Sequence, residues 1–427
     1  MVRGLFEFSS RTVEKCDPAA PCVKLGPMFY PLRFKPFLKF YPYGGHRFAE
    51  VLEIDVPRAT PIAEAWEVAD HGAEQSIVIN GPLAGQTLRQ LMMQFGSALA
   101  GDEVWARYGD YFPLLIKFLD CDKRLPAHMH PDDETARLLG LNESGKTEAW
   151  YIVRADAGAN AFVGALPGLS AGAFVNAIEE GNSYDGVMKQ VPTRTGDTYF
   201  VPPGRLHALD EGNLAFEVQQ NSDAGFGWDW AGFVEAGVVP VQDAARHKAL
   251  AVEHASYEDG VQEQTREVTL VEDDDERTFC CACRYFVLER LKIRGNTDFH
   301  DKQARFNTFT VINGAANFSG GGEVAFAKRG ESLLIPAGVA ITIEPNTLMG
   351  AGEVEILRCY VPDLQRDVID FLRASGVSDT DIAWLGSYGS GNDLLPLLSL
   401  PQDLFDVTPQ ERHQAALEHR DSRDETS

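Results

Sequence analysis

The sequence predicts a mostly β protein built as two related β-barrels, and three observations lead there. Residues 31–80, 191–240 and 279–362 read as short β runs broken by Gly and Pro, the punctuation of tight turns. One turn motif occurs twice, once in each of the two later stretches. Between those stretches the charge run from Val271 to Arg277 (VEDDDER) predicts an exposed connection.

The repeated motif carries the most information. Gly196 is followed by five residues, then Pro202-Pro203-Gly204, Arg205, Leu206 and His207. Gly330 is followed by five residues, then Pro336-Ala337-Gly338, Val339, Ala340 and Ile341. Each copy reads as a strand between two turns, with the leading Gly free to adopt positive φ and Pro-x-Gly making the sharp return. The residue after the return points into the barrel. It is a histidine in the first copy and an isoleucine in the second, so one barrel is equipped to bind and the other is filled by apolar packing.

The remaining elements follow in order. Ser76–Asn80 (SIVIN) reads as a strand and Gly81-Pro82 as a turn. Thr87 to about Leu99 has helical apolar spacing behind a threonine cap. Pro113–Asp120 reads as a buried strand. Cys280, Cys281 and Cys283 lack the second ligand pair of a zinc site, so the run through Tyr285, Phe286, Val287 and Leu288 reads as a buried strand. Cys16 and Cys22 are near enough to pair, though nothing requires it. Leu364–Ser375 has an amphipathic helical pattern, and Asp421–Ser427 is polar enough to stay unfolded.

Composition narrows the function classes. The 427 residues are 44% hydrophobic and carry 63 acidic against 38 basic side chains, a formal charge of −25. A nucleic-acid binder or a protein drawn to anionic membranes needs a positive face, so neither class is expected. The longest apolar runs, such as Phe112–Phe118 with its Lys117, are far shorter than the roughly 18 residues of a membrane span. The N-terminal residues lack a secretory pattern, and the expectation is a cytoplasmic protein.

The binding residues group around the first barrel. In His128-Met129-His130, alternate strand residues share a face, so both imidazoles enter one cavity. Glu148 opens the next strand and His207 follows the Pro-x-Gly turn. Three imidazoles and a carboxylate suit a divalent first-row metal such as zinc or iron, with open positions for water or substrate. His46, His71, His247, His254, His300, His413 and His419 lack such a pattern and read as structural.

The G-x5-P-x-G-x2-H run resembles the second cupin motif, and H-x-H with a downstream Glu resembles an expanded first motif. Longer runs are similar to type I phosphomannose isomerases: PLRFKPFLKFYPYGG (31–45), EAWEVADH (64–71), VINGPLAGQTLRQL (78–91), FPLLIKFLD (112–120), HMHPDDE (128–134), GKTEAWYIV (145–153), GDTYFVPPGRLHAL (196–209) and FEVQQNSD (216–223). They stand in the family's order over roughly residues 31–362. The resemblance implies two cupin (double-stranded β-helix, jelly-roll) barrels: a metal-binding one over 31–265 with a helical insertion at about 166–190, and a metal-free one over 279–362. Residues 363–427 would form a C-terminal helical extension. The implied reaction is the interconversion of mannose 6-phosphate and fructose 6-phosphate through a cis-enediol. The implied cofactor is Zn2+ or another divalent transition metal on His128, His130, Glu148 and His207.

Lys146 matches the lysine before the glutamate ligand, and Glu217 matches an acid suited to moving protons. Two positions depart from the family. Position 128 is expected to be Gln and is His. After Asp223 the family places an active-site arginine, yet this chain has Gly227 there and is about one residue shorter. A guanidinium binds phosphate through paired hydrogen bonds, so the loss matters, and Arg205 is a candidate replacement. The absence keeps open an isomerase of another, unphosphorylated sugar or a non-catalytic sugar-binding cupin. A cupin dioxygenase also suits the ligand set, but the long family runs weigh against it.

Overall fold

The computed structural model describes residues 29–400, apart from 57–58, 167, 181–185, 229, 258–263, 348–351 and 388–390. Cys16, Cys22, His413, His419 and the polar tail lie outside the described residues.

Two antiparallel sheets form the first barrel. One runs Thr198–Val201, Glu148–Ala155, Asn213–Gln220, Leu114–Cys121, Glu64–Val68 and Phe37–Lys39. The other runs Met188–Pro192, Asn160–Ala165, His207–Leu209, Leu125–Met129 and Phe226–Gly227. Strand alternation divides the side chains of the six-stranded sheet. Ile116, Phe118, Phe216, Val218 and Tyr151 pack outward in a core shared with Cys281 and Leu288. Leu119, Trp150, Ile152 and Ala215 point into the barrel. Lys117 and Glu217 belong to that inward set, directly opposite one another across the ladder.

The second barrel pairs an eight-stranded sheet with a four-stranded one. Leu291, Phe309, Phe318, Leu333, Ile341 and Ile356 fill its interior. Two strands of the eight come from the N-terminal stretch: Leu32–Lys35 pairs with Ser332–Ile335, and Ile77–Val78 pairs with Leu32–Lys35. The range 31–265 therefore contributes part of the second barrel's sheet. Both copies of the repeat form a strand between glycines of positive φ, at Gly196 and Gly204 and at Gly330 and Gly338.

Three local expectations change. The charge run is a hairpin rather than a connection: Val268–Glu272 pairs with Asp275–Ala282 around Asp273 at φ 53°. Its charges are matched across strands, Glu276 with Arg294 and Arg277 with Glu289. The cysteine run is two strands, Asp275–Ala282 and Val287–Ile293, although Cys280, Cys281 and Cys283 are all buried and free. The helix predicted after Thr87, Leu88–Phe95, is capped reciprocally by Thr87 and Gln90 and breaks at Gly96 before a second turn, Ser97–Ala100.

Ala171–Glu179 forms a helix between the strands Asn160–Ala165 and Met188–Pro192. The C-terminal helices Gln365–Asp370, Phe371–Ala374, Asp379–Trp384 and Leu394–Leu398 bury Val368, Leu372, Ile382 and Leu394 against Phe279, Val287 and Tyr360 of the second barrel. Among the described residues no helix is long and apolar enough to cross a membrane.

Candidate active site

The first barrel opens into a cavity of about 450 Å³. His128 and His130 enter it from the strand Leu125–Met129 and the residue beyond, and His207 enters from the neighbouring strand, where it pairs directly with His128. Their candidate ligand nitrogens all lie within 4.8 Å of one another. Each ring is oriented by the backbone: Nδ1 of His128 donates to the Pro126 carbonyl, that of His130 to Ala224 and that of His207 to Arg205, all at 2.8 Å. A neutral imidazole protonated at Nδ1 leaves Nε2 as a bare lone pair. Three such lone pairs converge, with 3.0 Å between Nε2 of His128 and of His207.

Glu148 completes the group, its oxygens 3.3 Å from Nε2 of both His130 and His207. The buried His130 Nε2 and both Glu148 oxygens make no directed hydrogen bond. Facing lone pairs beside an under-satisfied buried carboxylate repel unless a cation lies between them, so this donor set fits a divalent metal ion. Burial and the neighbouring histidines hold His128 well below the ordinary imidazole range. Burial, with Lys146, brings His130 down to about 3. Burial opposes ionisation of Glu148, but Lys146 and the histidines outweigh it and keep the carboxylate charged.

Beside this group runs a row of alternating charges. Lys146 Nζ is 3.0 Å from Glu148 and 3.6 Å from Glu217. Lys117 Nζ is 3.3 Å from Glu217 and 3.2 Å from Glu64. Trp150 Nε1 donates to the other oxygen of Glu217, and Tyr43 and Trp66 donate to Glu64. Burial and Glu148 push the Glu217 carboxyl up to about 8, against the pull of Lys117 and Lys146.

His128, His130, Glu148, His207, Lys146 and Glu217 thus share one site, and Arg205 stands apart. Its side chain is almost fully buried and does not line the cavity. Its contribution to the site is its carbonyl, which orients His207. Sequence reasoning missed Lys117, Glu64, Asp223, Trp230 and His247, which all line the cavity. Lys117 had a signal, a lone cation inside an otherwise apolar strand. His247, read as structural, instead faces the cavity from the helix Val241–His254.

Gly227 lies across the ladder from His128. A Cβ on it would come within 2.7 Å of the Trp230 indole, which lines the cavity wall with Phe233, Tyr41 and Tyr43.

Residues 32–149 match the family model for the phosphomannose isomerase type I catalytic domain, and residues 275–358 match the mannose-6-phosphate isomerase cupin domain. Mannose-6-phosphate isomerase ManA of Bacillus subtilis is 31% identical over 320 residues, covering 72% of this chain and 94% of the relative. The chain belongs to the type I phosphomannose isomerase family. This is a family of aldose–ketose isomerases. The mannose-6-phosphate isomerase of Streptococcus mutans is 27% identical, over 69% of this chain and 88% of its own. The crystal structure of the mannose 6-phosphate isomerase from Bacillus subtilis superposes with a TM-score of 0.66 at 26% identity, covering 78% of this chain and all of that one.

Proposed function

We propose that this protein interconverts mannose 6-phosphate and fructose 6-phosphate in the cytoplasm, with Zn2+ or another divalent transition metal held by His128, His130, Glu148 and His207. The observation that carries this reading is the position of Glu217, a buried carboxyl of raised pKa beside three converging Nε2 atoms. Isomerisation needs a base to take a proton from the carbon next to the carbonyl and return it to its neighbour. The metal, when bound, would polarise the substrate's carbonyl and hydroxyl oxygens and stabilise charge as it develops there.

The chain's own groups do the rest. With its carboxyl pushed up to about 8, Glu217 as the carboxylate takes the proton from one carbon strongly enough to hold it and then returns it to the neighbour, moving it between C1 and C2 through a cis-enediol. Trp150 fixes one Glu217 oxygen by donating from Nε1, which leaves the other facing Lys146 and Lys117. Lys146, between Glu217 and Glu148, is placed to hold a substrate oxygen while the proton moves. Depth in the barrel keeps bulk water from the reacting carbons.

The test is a coupled assay of metal-loaded protein with mannose 6-phosphate and free mannose side by side. Turnover of mannose 6-phosphate is expected, and turnover of neither sugar with metal confirmed bound rejects the reading. Free mannose as the preferred substrate is the second reading. It is favoured by the carboxylate partners that Lys39, Lys117 and Lys146 already have.

A further inference from the structure

Resting on the isomerase reading, we infer that Arg246, with His247 beside it, holds the phosphate of the substrate in a chamber adjoining the metal cavity. The chamber, about 270 Å³, shares Asp223, Gly225 and His247 with the cavity and is otherwise lined by Arg246, Leu250, Phe226 and neighbours. Gly225 lines both spaces. A Cβ on it would lie 3.5 Å from the His130 ring and 3.9 Å from His128, and its carbonyl accepts from His247 Nδ1 at 3.1 Å. One residue therefore separates the converging histidines from His247. A hexose with C1 and C2 at the histidines extends its C6 end away from them, and the adjoining chamber lies on that side of the cavity wall.

Charge singles out Arg246. The cavity lysines each have a carboxylate partner: Lys39 has Glu74, Lys117 has Glu64 and Glu217, and Lys146 has Glu148. Among the described residues Arg246 makes no ion pair, although Asp243 precedes it by one turn on the same helix. Two other carboxylates face the chamber. Glu143 is bound to His71, which takes up its charge, and Asp223 is exposed at the border that the chamber shares with the cavity. A guanidinium without a partner, beside an imidazole whose Nε2 is not used by its own backbone bond, suits a phosphate that approaches with two oxygens. The place on the strand at Gly227 is closed by Trp230, so the cation reaches the substrate from the helix instead.

The experiment compares the metal-loaded full chain with Arg246→Ala and Arg246→Lys, measuring KM for mannose 6-phosphate and for free mannose. Calorimetric titration with inorganic phosphate is run in parallel. Arg246→Ala should raise KM for mannose 6-phosphate at least tenfold and weaken phosphate binding, with Arg246→Lys recovering part of each. Free mannose should show no comparable rise. An unchanged KM for mannose 6-phosphate, or an equal rise for both sugars, overturns the subsite. If the wild-type protein turns over neither sugar, the isomerase reading fails by itself. Phosphate binding that Arg246→Ala abolishes would then still support the subsite, and no phosphate binding by the wild-type protein would overturn it.

Discussion

The indole of Trp230 occupies the space that a side chain on Gly227 would need, with its Cε2 2.7 Å from the position of a Cβ there. The two residues are therefore coupled, and placing an arginine on the strand is not a local change. Gly227→Arg should destabilise the protein by about 1–3 kcal/mol through overpacking and displace Trp230 from the cavity wall. Adding Trp230→Ala to it should recover most of that stability. Thermal denaturation of the two variants checks this, and equal melting temperatures would show that the indole is not the obstacle.

Metal removal should be visible without an assay of activity. An ion bound by the folded chain and not by the unfolded one stabilises it by mass action, so chelation should lower the melting temperature by several degrees, and re-addition should restore it. His128→Gln keeps a neutral donor at that position and should retain bound metal, whereas His207→Ala should lose it. Metal content measured on the purified variants distinguishes the two outcomes.

Lys117 and Glu217 separate stability from chemistry. Removing Lys117 leaves Glu64 and Glu217 buried without their shared counter-charge, so Lys117→Met should cost about 3–5 kcal/mol in denaturant unfolding. Glu217→Gln keeps the shape and the Trp150 hydrogen bond. It should lower kcat by about 10²–10⁴ with metal content unchanged, and an undiminished kcat would remove Glu217 from the proton transfer.

A pH dependence should arise far from the histidines, at Glu67. This residue is buried where the strand Glu64–Val68 meets Ser332 of the second barrel, with one oxygen lacking a hydrogen-bond partner. Burial pushes its carboxyl from 4.5 up to about 8, opposed by Ser332 and reinforced by Glu331. The unfolded chain then binds fewer protons than the folded one between these values. Stability should fall as pH rises from about 4.5 to about 8, by on the order of a few kcal/mol, and level off above. Glu67→Gln should flatten that part of the stability–pH curve, which urea unfolding at a series of pH values would show.

Features carried by short-range patterns were legible in the chain. The doubled Gly…Pro-x-Gly motif marks two strands whose glycines do take positive φ, and it places His207 and Ile341 at matching positions in the two barrels. Strand alternation put His128 and His130 on one face, and the Thr87 cap marked the start of its helix. Such signals are local because turn geometry, side-chain alternation and capping depend on residues a few positions apart. What crosses the ladder was not legible. Lys117 meets Glu217, Glu64 and Trp66 only through strand register, and the same register across Phe226–Gly227 sets Trp230 beside the histidines. The sequence alone therefore determined two barrels, their family and a convergent set of histidines. The tertiary structure alone decided that Arg205 is buried away from the cavity while His247 enters it. Alternation tells a strand residue which face it occupies, but only the packing of sheets and helices decides what stands opposite.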